Sequence, residues 1–129
     1  MTTSEVETLT AYLDSITEET KAAKMKWAKS NPTTFVWKAP PPGNARLSLQ
    51  KVVQNKVVRM ASGLALKSTI NNYIFQVVEL PSGNTKLNCN TAEQQQASLR
   101  EPLEKLFDAI SSNIDREGLD FLKQVMKIP

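Results

Sequence analysis

The chain has 129 residues, of which 40% are apolar and 22% charged, the size and composition of one globular domain able to bury a single core. Sixteen Lys and Arg against thirteen Asp and Glu leave a net charge of +3, with no histidine and one cysteine, Cys89. Those absences exclude zinc sites built from His and Cys, His-based triads, Cys–His nucleophiles and an internal disulfide framework.

From the N-terminus, Met1-Thr2-Thr3-Ser4-Glu5 lacks the basic start and apolar stretch of a signal peptide, and no run approaches the roughly 18 apolar residues of a membrane span. A cytoplasmic protein without membrane contact is the expectation. Ser4 and Glu7 then have capping-box spacing, and Val6, Leu9, Leu13, Ile16, Thr20, Ala23 and Trp27 recur at three and four residues, one stripe of a helix. Acids fill its first half and lysines its last, complementing the helix dipole. Pro32 ends it, since the residue before proline avoids helical geometry.

Strand signals follow. Thr33 to Lys38 is β-branched and aromatic, Pro40-Pro41-Pro42-Gly43-Asn44 is a stiff loop, and Arg46 to Val53 alternates apolar with polar residues. Tyr73 to Leu80 is a β-prone run that Pro81-Ser82-Gly83-Asn84 turns into Thr85–Asn90, a hairpin. Residues 49–64 also fit a helical stripe ending at Gly63, although four valines in ten residues disfavour a helix. A strand followed by an irregular excursion over roughly residues 56–71 is the preferred reading. Ser98 and Glu101 repeat the capping-box spacing, with Pro102 where its missing N–H costs nothing. Leu99, Leu103, Leu106, Phe107 and Ile110 form the buried stripe, and Asp115 caps a last helix through Met126. The sum is an α+β domain: an N-terminal helix, an antiparallel sheet of about four strands, and two C-terminal helices packed on the sheet.

Charge is distributed unevenly. Residues 1–19 carry five acids and no base, residues 20–78 ten bases and no acid, and residues 79–129 six bases and eight acids. An even spread would put about six acids in the middle stretch. Lys24, Lys26, Lys38, Arg46, Lys51, Lys56 and Arg59 lie there, with Trp37 and Tyr73 among them as stacking surfaces. A positive surface with aromatic platforms suits single-stranded nucleic acid or another polyanion. Against this, lysines at a helix C-terminus answer the dipole alone, Trp27 falls on the apolar stripe, and Phe35 and Trp37 share a strand face that would pack on the helices. No RNA-recognition, KH or helix-turn-helix motif is present.

Two other readings compete. A protein–protein adaptor or inhibitor would use Trp37, the proline loop, Arg59 and Met60 as anchors, and would need a contiguous apolar patch there. A small phosphorylated ligand would be gripped by Arg46 and Arg59, though without a Gly-rich nest. Catalysis has less support. Glu101, Glu104 and Asp108 lie on adjoining helical turns, but Lys105 four residues after Glu101 makes an ion-pair face the simpler account. Ser48-x-x-Lys51 lacks companion motifs, and Cys89 reads as a small buried apolar residue. The expectation is a non-enzymatic binding protein with no cofactor and no metal; a homodimer is compatible with the sequence but not indicated by it.

Overall fold

The computed structural model describes residues 1–126 and shows an α+β arrangement in the order helix, five strands, helix. Helix α1 spans Thr3–Lys21, and α2 spans Arg100–Met126 behind a 3-10 segment, Gln94–Leu99. Between them lie β1 (Ala28–Asn31), β2 (Thr34–Lys38), β3 (Ala45–Arg59), β4 (Ala65–Glu79) and β5 (Asn84–Asn90). These strands form one antiparallel meander in which each pairs with its sequence neighbours.

Strand alternation divides the sheet into two faces. Register aligns Phe35 with Leu49, Leu49 with Phe75, Phe75 with Cys89, and Lys51 with Tyr73. All of these face the helices, and all but the half-buried Lys51 bury with Leu9 and Leu13 of α1 and Leu103, Leu106, Phe107 and Ile110 of α2. Phe107 sits at the centre, its ring 4.8 Å from that of Phe35 and 5.8 Å from that of Tyr73. Such tilted pairs add to the burial of each ring. Trp27 joins this core from the connection before β1 and donates its indole N–H to Thr20 Oγ1 at 3.1 Å.

Several expectations change. The cap of α1 is Thr2, whose hydroxyl accepts from the Glu5 amide at 3.1 Å, not Ser4. The helix ends at Lys21, well before Pro32, where Ala23 adopts a φ of 60°. Trp27 completes the apolar stripe from an extended segment, so periodicity outran the helix. Residues 49–64 are strand to Arg59, and the expected excursion is instead the outer half of a long β3–β4 hairpin, paired from Ala45↔Glu79 to Arg59↔Ala65. Gly63, with a φ of 85°, closes its turn, its amide donating to the Met60 carbonyl at 2.9 Å. The valines that weakened a helix are the residues a pleated ladder prefers.

The two expected C-terminal helices are one. Asp115 does not cap a new helix, because no proline follows Pro102 of the first turn within Arg100–Met126 and the weak formers Ser111, Ser112 and Asn113 stay helical. The Asn113 side chain donates to the Thr20 carbonyl, tying the middle of α2 to the end of α1.

Candidate functional site

The sheet face turned away from the helices is the candidate binding surface. Register places Thr34, Val36 and Lys38 of β2, Arg46, Ser48, Gln50, Val52, Gln54 and Lys56 of β3, and their β4 partners Gln76, Ile74 and Ile70 on that face. Asn88 and Asn90 of β5 extend it, opposite Gln76 and Ile74. Amides, hydroxyls and bases dominate. Among all strand residues the one acid is Glu79, at the end of β4 and 3.7 Å from Lys86 in an ion pair.

Lys38 and Arg46 stand directly opposite each other across β2 and β3. Like charges in register destabilise a sheet, and neither residue has an ion-pair partner among the described residues. Lys56 lies ten positions along β3 from Arg46, on the order of 30 Å at strand spacing. The intervening surface supplies neutral hydrogen-bonding groups. Gln76 Nε2 donates to Asn88 Oδ1 at 3.1 Å, and Asn72 Nδ2 donates to Gln54 Oε1 at 3.0 Å. Near the middle, Val52 and Ile74 floor a shallow hollow edged by Gln54, Asn72 and Asn90.

Asn72 is fixed from behind. Its Oδ1 accepts from Thr91 Oγ1 and from an Arg100 guanidinium nitrogen, each at 3.0 Å, while Arg100 also reaches the Thr91 carbonyl at 3.3 Å. Gln96 Oε1 accepts from the Asn90 amide at 2.7 Å. The helical C-terminal segment thereby orients polar groups presented on the sheet. Sequence reasoning missed this amide surface, because Gln, Asn and Ser become a surface only once strand pairing aligns them.

The positions singled out from sequence divide. Lys38, Arg46 and Lys56 share the open face. Lys51 points to the helix side, its Nζ 5.4 Å from the Phe107 ring centroid, a cation–π position. Arg59 also lies on the helix side of β3, so it cannot grip one phosphate together with Arg46. Lys24 and Lys26 occupy the connection after α1, Lys26 lining a hollow with Trp27, Arg116 and Asp120. Tyr73 is 1% exposed and offers no stacking surface; burial, then the nearby Glu104 and Asp108, push its phenol up to about 12. Trp37 is half-buried against the core, on the helix side. Trp37 is not among the large exposed apolar side chains, most of which lie on the outer hairpin, Met60 among them, and on α2.

The groups singled out for chemistry take the following places. Glu101 pairs with Lys105 at 3.3 Å on an exposed helix face. Ser48 and Lys51 point to opposite sides of β3. Cys89 is buried and free, and burial pushes its thiol up to about 11. No helix among the described residues is long and apolar enough to cross a membrane. No family model matches the sequence, and no curated protein or solved structure shows significant similarity to it.

Proposed function

We propose that the protein binds a polyanion, single-stranded nucleic acid above all, across the open face of its sheet. The observation that carries this reading is the unpaired Lys38–Arg46 couple on a face without a carboxylate partner for it. A phosphate seated between them relieves their repulsion, and Arg46 is able to grip it with two parallel N–H bonds. Along β3 the neutral amides and hydroxyls offer hydrogen bonds to sugars and base edges, and Lys56 meets a further phosphate. The hollow over Val52 and Ile74 has the character of a base site, with an apolar floor and an amide rim. Base contact there is by apolar packing and hydrogen bonding; the aromatic platforms expected from sequence do not take part.

The test is fluorescence anisotropy of labelled single-stranded RNA and DNA titrated over a range of salt. Three phosphates neutralised per chain give a log–log salt slope of about −2. Arg46→Glu is expected to weaken binding by at least roughly tenfold, as loss of a charge-assisted bidentate contact implies. Lys24→Glu, off the open face, should change it less than about twofold. Equal weakening by the two variants, or no binding at low salt, would refute the reading.

A further inference from the structure

We infer that this chain pairs with a second copy of itself, the tail of α2 from each copy packing on the outer β3–β4 hairpin of the other. Beyond the pairs Gln50↔Thr34 and Ile74↔Asn90, β3 and β4 continue with no further strand beside them. The eight residues from Val52 to Arg59 project roughly 25 Å at strand spacing, with both edges free. A two-stranded hairpin standing alone is marginal in water. On the face it shares with Leu49 and Lys51 this one nevertheless exposes Val53 and Val57, with Met60 and Leu64 at the turn, and Val57 is 59% exposed.

The second surface is on α2. Its buried residues end at Ile110, with Ile114 only partly covered, yet the helix runs to Met126. Leu119, Leu122, Val125 and Met126 recur at helical spacing, with Phe121 beside them. All five are exposed, Leu119 and Phe121 at 67%.

Charge and symmetry indicate the occupant. That face of the outer hairpin carries Arg59 and Lys67 and no acid, whereas the described tail, residues 115–126, carries Asp115, Glu117 and Asp120 against Arg116 and Lys123. Both surfaces belong to one chain, so a twofold exchange between identical copies covers both at once and closes the assembly. An unrelated protein would have to match two surfaces of opposite charge balance. The inference stands apart from the polyanion reading, because Val57, Arg59 and Lys67 lie on the face of the hairpin opposite Arg46 and Lys56.

Sedimentation of the full chain in ~0.5 M salt, where nucleic acid is stripped, separates the two ideas. The expected result is a species of twice the 14.4 kDa chain mass at concentrations up to ~100 µM. Val57→Asp and Leu122→Asp should each shift it to the monomer with the far-ultraviolet circular dichroism unchanged. A wild-type monomer at ~100 µM, or a dimer that both variants leave intact, would overturn the inference. Hydrogen exchange of the wild-type protein guards against a variant that fails to fold. Amides of residues 52–59 and 119–126 should gain protection together as concentration rises, and concentration-independent exchange in both segments would count against pairing.

Discussion

The sheet and the helices carry opposite charge. The five strands hold eight Lys and Arg and one acid, while α1 and α2 hold eleven acids and five bases. One layer is thus formally +7 and the other −6. Yet each ion pair among the described residues stays within its layer: Glu18 with Lys21 in α1, Glu101 with Lys105 in α2, Glu79 with Lys86 in the sheet. What joins the layers is chiefly apolar contact around Phe107, Leu49 and Leu106, with the Arg100 hydrogen bonds to Asn72 and Thr91 at one end. Hydrophobic burial therefore supplies the cohesion, and the charge segregation is left to act on partners. A polyanion attracted to the sheet is repelled by the helices, which orients it before contact is made.

The comparison breaks most severely where the layers meet. Phe107→Ala removes the ring that touches both Phe35 and Tyr73 and leaves a cavity between sheet and α2. The expected loss is about 3–5 kcal/mol in denaturant unfolding, with a lower midpoint and an unchanged slope. A loss near zero would mean that charge, not packing, joins the layers.

High pH attacks the same apolar contact more gently. Cys89 and Tyr73 lie in the core with pKa values raised from 9.0 to about 11 and from 10.0 to about 12, chiefly by burial. Both groups hold their protons longer folded than unfolded, so their stabilising effect is complete below about pH 9 and declines through pH 9–12. Unfolding at pH 10.5 should need less denaturant than at pH 8. The native thiol should also resist alkylation at pH 8 and react once unfolded.

How much of this was legible in the sequence depends on the range of the interaction. The α1 stripe at Leu9 and Leu13, the Phe35 strand and the Tyr73–Leu80 run are local patterns, and each becomes the element its period implies. The outer hairpin was not legible, because Val57 and Val58 acquire a strand identity only from Lys67 and Leu66 across the ladder. Gly63 likewise served equally as a helix stop or a turn until its partner Met60 was known. The acid-free middle segment was visible as composition, but strand alternation sends Arg46 and Lys56 to one side and Lys51 and Arg59 to the other. Tyr73 was misread for a related reason: a tyrosine among bases resembles a stacking platform until its register with Lys51 turns it toward Phe107.

The smallest expected effect separates a sheet that is basic for a ligand from one that is basic by accident. Lys38→Thr removes one member of the like-charged pair while keeping a residue suited to strands. Relief of repulsion at this solvent-screened site should raise stability by roughly 0.2–1 kcal/mol. Over the same change, affinity for single-stranded nucleic acid should fall several-fold, and the salt slope should flatten by about 0.7. Stability and binding moving in opposite directions would identify the Lys38–Arg46 couple as strain held for an anion. If stability rises while affinity and salt slope stay fixed, the Lys38–Arg46 pair is incidental to binding, and the anion is held elsewhere or not at all.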